Sequence, residues 1–266
     1  MADYALVMSD AELARYRHMA ARAVASEVDE FRMAGIVPGA TVADVGCGPA
    51  AMSVEVAHLV GPEGRVIGIE PDERSRATAT AVIAASGLAN IELRDGTATD
   101  TGLEPRSVDV AMMRHVLAHN GGREQAFVDH LASRVRPGGC VYLVDTDLTG
   151  ARTIDGAPEL DDLFEKYSQF HRARGNDPLA GLRLANLLKA AGLEVLAFEG
   201  RYSILAAPPG MRPPPWAGRD SMLAQGTITQ DDVDRWQGGF EKSDALEVRP
   251  TIFVPLFIAI GRVAGA

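Results

Sequence analysis

The sequence predicts a doubly wound α/β fold, in which a mostly parallel sheet of seven strands carries helices on both faces. Buried apolar runs alternate with helical patterns from residue 41 to residue 145, a glycine-rich turn follows the first run, and a single acid, Glu70, ends the second. This alternation favours parallel strands joined by right-handed crossovers. In such a sheet a ligand lies at the carboxyl ends of the strands.

Each element follows from its own pattern. Residues 9–34 are predicted as one helix, because apolar residues recur at helical spacing until Gly35 ends the pattern. The later helices are predicted at about 50–60, 72–86, 122–135 and 179–191, most of them ending at a glycine. Short apolar runs predict strands at 41–45, 65–70, 90–94, 108–113, 140–145, 193–198 and 252–263.

Two segments fall outside this alternation. Residues 147–182 have a helical pattern of their own, and residues 206–250 are too long and in places too apolar for a linker. We expect both, with the N-terminal helix, to cover the ligand site. The chain is therefore predicted as a single domain over 1–266, with a lid at about 1–35, a core at about 36–146, and these two cap segments.

The glycine turn and its neighbouring acids indicate the kind of ligand. Gly46 and Gly48 let the backbone approach a ligand closely, and Glu70 lies where a ribose would lie, so an adenosine-containing cofactor is predicted. A dinucleotide fingerprint would have a third glycine where Ala51 stands. Asp44, just before the turn, would repel a pyrophosphate and favour a cation. S-adenosylmethionine, which has no phosphate and carries two cationic centres, fits this pattern better than NAD.

With these features the chain resembles class I S-adenosylmethionine-dependent methyltransferases, from about residue 31 to residue 196. The closest likeness is to the small-molecule branch, including ubiquinone/menaquinone C-methyltransferases and natural-product methyltransferases. The segments that carry the resemblance are Asp44-Val45-Gly46-Cys47-Gly48, Glu70, Asp95-Gly96-Thr97, the run 107–117 and Arg136-Pro137-Gly138-Gly139. The resemblance implies a Rossmann-like methyltransferase fold with helical or loop insertions as a cap.

The resemblance also implies the residues that bind the cofactor. Asp44 is expected near the methionine ammonium, Glu70 at both ribose hydroxyls, and Asp95 at the adenine amino group. The full predicted set comprises Tyr16, Asp44, Gly46, Cys47, Gly48, Glu70, Pro71, Asp95, Gly96, Thr97 and Arg114. Arg114 is equally compatible with a structural role that locks the fourth strand.

Candidates for acceptor chemistry are His115 and His119, which follow the fourth strand and are proposed as catalytic residues. Tyr167, His171 and Trp216 lie in the predicted cap and are proposed to contact the substrate. Each of the five also has a structural interpretation, as a packing or helix-capping residue. The sulfonium methyl is already activated, so a general base is needed only if the acceptor holds a proton at neutral pH.

Composition limits the partners. A net charge of −10 argues against a nucleic-acid partner, and no metal-ligand spacing, signal peptide or membrane span is visible. Two cysteines, with no secretory signal, favour the cytoplasm. A small-molecule acceptor is expected, and an apolar C-terminal strand leaves a homodimer open.

The predicted function is methyl transfer to an O-, N- or C-nucleophile, in bacterial secondary or cofactor metabolism, with S-adenosylhomocysteine as product. The alternative is a cyclase or decarboxylase that holds S-adenosylmethionine without using its methyl group. A nicotinamide-dependent oxidoreductase and a non-catalytic partner protein are disfavoured by the acids beside the glycine turn.

Overall fold

The N-terminal segment is a broken helix. The computed structural model describes residues 10–265, without the side chains of Asp10 and Ala11, so residues 1–9 of the predicted lid lie outside it. The helix predicted over 9–34 is divided into α1 (Asp10–Ser26) and α2 (Val28–Ala34). Between them the backbone of Glu27 leaves the helical region, with φ −119° and ψ 24°.

The sheet has the predicted doubly wound arrangement. Its strands are β1 Thr41–Val45, β2 Arg65–Ile69, β3 Ile91–Arg94, β4 Val108–Arg114, β5 Val135–Thr146, β6 Arg152–Ile154, β7 Glu194–Ala206 and β8 Thr251–Arg262. The order is β3-β2-β1-β4-β5-β8-β6. Strands β5 and β6 pair with successive parts of one side of β8, and β7 pairs with its other side. The first five strands are parallel, and β8 runs antiparallel to β5, β6 and β7. The fold class is confirmed.

The sheet differs from the prediction in two details. It has eight strands rather than seven, because the short β6 pairs with the beginning of β8 beyond the end of β5. Strand β7 continues to Ala206, past the predicted end at residue 198, because its whole length pairs with β8. Both differences arise from pairing with a strand that is distant in sequence.

The other helices are α3 Ala51–Val60, α4 Glu73–Ser86, α5 Glu124–Arg134, α6 Leu163–Ala173, α7 Ala180–Ala190, α8 Pro214–Ala217, α9 Arg219–Ala224 and α10 Gln230–Asp244. The segment expected as a cap loop over 206–250 thus contains three helices. Pro214 suits the first turn of α8, where an N–H is not needed. Thr229 and Asp232 form a capping box at the start of α10.

The molecule has separate cores for the sheet and the cap. One buried cluster fills each face of the sheet. A third cluster, which we call the cap core, joins α6 to α9 and α10; its buried members are Leu160, Leu163, Tyr167, Phe170, Met222, Ile228, Trp236 and Phe240. The two predicted cap segments therefore pack together. Among residues 10–265, no helix is both long and apolar enough to cross a bilayer.

A buried ion pair joins the N-terminal helices to the sheet. The guanidinium of Arg114, at the end of β4, donates to both carboxylate oxygens of Glu27, at 2.6 and 3.0 Å. The hydroxyl of Tyr142, on β5, donates to the same carboxylate. Glu27 is 2% exposed. The helix break at Glu27 places its carboxylate against these two donors.

We predict that Arg114→Met lowers the free energy of unfolding by about 3–5 kcal/mol, because it leaves the Glu27 carboxylate buried without its cation. The double variant Glu27→Gln/Arg114→Met should recover much of this loss. Urea unfolding measures both. Arg32→Met is the matched control, because the Arg32–Asp29 pair is largely exposed, at 71% and 90%. Equal effects of Arg32→Met and Arg114→Met would contradict the prediction.

Candidate functional site

The site lies where the strand order of the sheet reverses. Strand β1 is paired with β2 on one side and with β4 on the other, all three parallel. Chain connections leave these strands in opposite directions, so a crevice opens above their carboxyl ends. Most of the predicted cofactor residues, with His115 and His119, lie at or directly after the ends of β1, β2, β3 and β4 at this edge. Tyr16 lies on α1, and Tyr167, His171 and Trp216 lie in the cap.

The turn after β1 depends on two glycines. Gly46 has φ +75°, and a Cβ there would lie 2.6 Å from a methyl carbon of Val116. Gly48 has φ +53°, and an added Cβ would meet no atom within 4 Å. Gly46 therefore allows the loop after β4 to pack against the turn, whereas the backbone of Gly48 faces open space that a ligand can fill.

Glu70 joins the ends of β1 and β2. One carboxylate oxygen accepts the N–H of Gly48 at 2.9 Å, and the other accepts the N–H of Asp72 at 3.0 Å. Glu70 is 8% exposed, and this burial raises its pKa although both N–H donors act against the rise. Because each oxygen has a second lone pair, the carboxylate can still accept from a ligand.

Asp44 lies deeper, below the glycine turn. It is 3% exposed and accepts a hydrogen bond from the Ser53 hydroxyl at 2.6 Å. Burial raises the pKa of Asp44 to about 6, against the opposing effects of Ser53 and of the Arg114 charge. An approaching cation would favour the ionised form of this carboxyl.

The segment after β3 adds a third acid. Asp95 is largely exposed and accepts from Arg76 at 2.9 Å, and the same Arg76 nitrogen donates to the backbone oxygen of Glu70 at 2.9 Å. A Cβ on Gly96 would lie 2.9 Å from Ile69 and 3.0 Å from the Asp100 oxygen. Arg76 thus ties the ends of β2 and β3 together; the sequence analysis missed it, since one arginine on a helix carries no specific signal.

The other residues of the predicted cofactor set have varied surroundings. Cys47 is buried, which raises the pKa of its thiol, and Pro71 is exposed beside Glu70. The backbone N–H of Thr97 donates a hydrogen bond to the backbone oxygen of Asp100 at 2.9 Å. Tyr16 is half-buried on α1, with the Arg15 guanidinium 4.9 Å from its ring centre. Arg114 contacts Glu27, as described above, so its guanidinium supports the fold; contact with a cofactor stays a prediction.

Two histidines follow β4 directly. His115 has φ +56°, which is uncommon for a residue with a side chain, and its N–H donates to the Val144 oxygen at 2.8 Å. Burial lowers the pKa of His115 to about 3, helped by the charge of Arg114. Burial and the charge of Arg15 lower the pKa of His119 to about 4. Both imidazole rings are therefore neutral at neutral pH and are weak bases.

The cap contributes three aromatic candidates. His171, on α6, lies with its ring centre 4.7 Å from His119 and 4.4 Å from Tyr167, so the structure brings these predicted residues together. Tyr167 is also part of the cap core, and its burial raises the pKa of the hydroxyl. Trp216 packs on Phe240, 5.1 Å between ring centres. Trp216 is thus part of the cap packing, and a substrate contact there stays a prediction.

Within residues 10–265 there is no group of three or more His, Cys, Asp or Glu side chains that could hold a metal ion. The chemistry available at this edge of the sheet consists of buried carboxylates, an open glycine turn and neutral imidazoles. Such a site can bind a ligand that has hydroxyl donors and a positive charge.

Residues 42–139 match a family model described as a methyltransferase domain, in agreement with the methyltransferase resemblance that the motifs predict. Over 139 residues the chain is 28% identical to demethylmenaquinone methyltransferase of Bacillus cytotoxicus. The match covers 52% of this chain and spans 57% of the length of that relative.

Solved structures share the fold. A SAM-dependent methyltransferase of Aquifex aeolicus superposes with a TM-score of 0.52 at 18% identity, covering 72% of this chain and 92% of that one. The [4+2]-cyclase SpnF superposes with a TM-score of 0.55 at 16% identity, covering 89% and 78% of the two chains.

The raised pKa of Asp44 predicts how stability depends on pH. Between the ordinary value of 3.8 and about 6 the folded chain holds a proton on Asp44 that the unfolded chain releases. Stability therefore falls as pH rises through this window. Asp44→Asn removes this dependence, so from pH 4 to pH 7 the variant should gain about 2–3 kcal/mol relative to wild type.

Urea unfolding at pH 4, 5, 6 and 7 measures this difference. Glu63→Gln, which neutralises an exposed acid in the turn before β2, is the control. A stability difference between Asp44→Asn and wild type that does not change with pH would contradict the assignment.

Proposed function

We propose that this chain, which carries a methyltransferase domain over residues 42–139, transfers the methyl group of S-adenosylmethionine to a small organic acceptor enclosed by the helical cap. The observation that carries the proposal is the bond between the Glu70 carboxylate and the Gly48 N–H. It supports the proposal because a buried carboxylate, suited to accept from ribose hydroxyls, lies beside backbone that faces open space, at the point where the strand order reverses.

The cofactor is S-adenosylmethionine, and the residues present fit it. The turn at Gly46 and Gly48 would receive the methionine end, with Asp44 favouring its ammonium; Glu70 would accept from the ribose hydroxyls. Asp95, with Gly96 and Thr97, would lie at the adenine. A pyrophosphate fits poorly, because the Gly48 N–H that would bind it already donates to Glu70 and two carboxylates lie close by.

The bound cofactor supplies a methyl group activated by its sulfonium. The chain's part is then to align the acceptor and exclude water, and alignment alone can supply roughly 7–11 kcal/mol. The cap core holds α6 rigidly beside the loop after β4. We propose that Tyr167 and His171 contact the acceptor from the cap, and that Trp216 supports them or extends the contact.

His115 and His119 are proposed as the proton acceptors. Their lowered pKa values make them poor at removing a proton before methyl transfer. A hydroxyl oxygen that is methylated while it still holds its proton becomes a strongly acidic oxonium, so for such an acceptor a weak base suffices after transfer. The lowered pKa values of the two histidines therefore favour an acceptor that is nucleophilic without prior deprotonation, or an acceptor that arrives ionised.

A second candidate function is a cyclisation or decarboxylation on the same scaffold. The likeness to the [4+2]-cyclase SpnF favours keeping it, because that enzyme shares the fold over 89% of this chain. In that case the bound cofactor would keep its methyl group. We also propose that the chain acts in the cytoplasm, on a small molecule rather than on nucleic acid. The proposal leaves a homodimer open.

The product decides between the two functions. Wild-type chain is incubated with S-adenosylmethionine and a panel of phenols, enols, ketones and amines, and S-adenosylhomocysteine is measured by mass spectrometry. Methyl transfer predicts that S-adenosylhomocysteine appears in amounts equal to a methylated acceptor. Conversion of an acceptor without S-adenosylhomocysteine would support the alternative.

We predict that Glu70→Ala weakens S-adenosylmethionine binding by about 1.5–3 kcal/mol, the range for hydrogen bonds to a charged group. Isothermal calorimetry measures the change. Glu63→Ala removes an exposed acid at the opposite end of β2 and should bind as wild type does. Unchanged affinity in Glu70→Ala, with the folded state verified by circular dichroism, would show that Glu70 does not contribute to cofactor binding.

A further inference from the structure

His171 is a buried polar residue, and one of its two ring nitrogens has no hydrogen-bond partner among the described residues. The residue is 2% exposed, and the nitrogen concerned is Nε2. Its ring lies against His119, in the loop after β4, and against Tyr167. A buried histidine in a packed core usually has both nitrogens bonded. The unpaired nitrogen therefore needs an explanation.

Asn176 determines which ring nitrogen of His171 carries the proton. The backbone N–H of Gly121 donates to Oδ1 of Asn176 at 3.2 Å, which orients the amide so that its NH₂ group faces Nδ1 of His171 at 3.0 Å. An NH₂ group only donates, so Nδ1 of His171 accepts. In a neutral ring the proton is then on Nε2, and the unpaired atom is a hydrogen-bond donor.

This orientation is held by a close approach of two loops. A Cβ on Gly121 would lie 1.7 Å from the backbone oxygen of Gly175, so the loop after β4 and the end of α6 touch backbone to backbone. The Asn176 N–H also donates to the His171 oxygen at 3.0 Å. The ring, the amide and the loop therefore form one rigid unit beside His119.

The charges around this unit disfavour a cationic ligand. Burial lowers the pKa of His171 to about 3, and the nearby charge of Arg174 acts in the same direction. Arg15, which is paired with Glu12 at 2.7 Å, has the same effect on His119. A neutral N–H donor suits an oxygen with lone pairs and does not suit an ammonium.

We infer that His171 donates its Nε2–H to an oxygen of the acceptor, so that the acceptor is an oxygen-bearing molecule such as a phenol or an enol rather than an ammonium compound. Asn176 is then a positioning residue, which acts by holding the imidazole tautomer. The inference rests on the proposed function, because it assigns the acceptor of that same site. It covers methylation either at that oxygen or at a carbon that the oxygen activates.

The first test needs no acceptor. Two-bond ¹H–¹⁵N spectra of chain labelled with ¹⁵N-histidine report the tautomer of each ring, and the signal lost in His171→Gln identifies His171. We expect the neutral Nε2–H form at neutral pH. In Asn176→Asp the new carboxylate requires a proton on Nδ1, so the signal should change to the Nδ1–H form or to the imidazolium. An Nδ1–H tautomer or an imidazolium in wild type would overturn the inference.

The second test uses the acceptor panel, with oxygen-bearing compounds and amines that lack oxygen. His171→Phe keeps a ring but removes the donor, whereas the Gln side chain can donate from a similar position. For the compounds that are methylated, kcat/KM should fall about tenfold in His171→Phe and recover to within about threefold in His171→Gln. His58→Phe, an exposed histidine on α3, should match wild type.

The outcomes separate this inference from the proposed function. Methylation of amines that lack oxygen, or equal kcat/KM for His171→Phe and wild type, would overturn the role of His171 while leaving methyl transfer intact. Absence of S-adenosylhomocysteine with every compound would count against the proposed function. The tautomer measurement would then still decide whether His171 is a preorganised donor.

Discussion

The site depends on one constraint, the bond between the Glu70 carboxylate and the N–H of Gly48. It ties the turn after β1 to the end of β2 and leaves the backbone of Gly48 facing open space. It also occupies the Gly48 N–H, and we propose that this one contact both shapes the ribose side of the site and disfavours dinucleotides. Asp44, buried below the same turn, strengthens the preference for a cationic ligand.

The opposite side of the crevice is built by segments that the sheet does not require. The cap core packs α6 against α9 and α10, and the contact of Gly121 with Gly175 joins α6 to the loop after β4. Through this contact, imidazoles from the sheet edge and from the cap meet. Burial lowers the pKa of both rings and keeps them neutral. A neutral, water-poor acceptor site would suit the methyl transfer by alignment that we propose.

The sequence predicted what local patterns encode. Strand β1, the glycine turn and the acid at residue 70 were predictable because each has a local signature. The break at Glu27 was not, because it serves a buried pair with Arg114 across 87 positions. The bond of Asn176 to Gly121 crosses 55 positions. Helices α8 and α9 are short, and residues of α8, α9 and α10 pack in or against the cap core, so the prolines and glycines of this segment suggested a loop instead.

Calorimetric titration of the wild-type chain with S-adenosylmethionine, S-adenosylhomocysteine and NAD tests the central claim most directly. The bond of Gly48 to Glu70 predicts binding of the two sulfur-containing nucleosides, with dissociation constants in the micromolar range, and no measurable binding of NAD. Binding of NAD, with no heat from either of the other two, would contradict the account of the glycine turn and its acids.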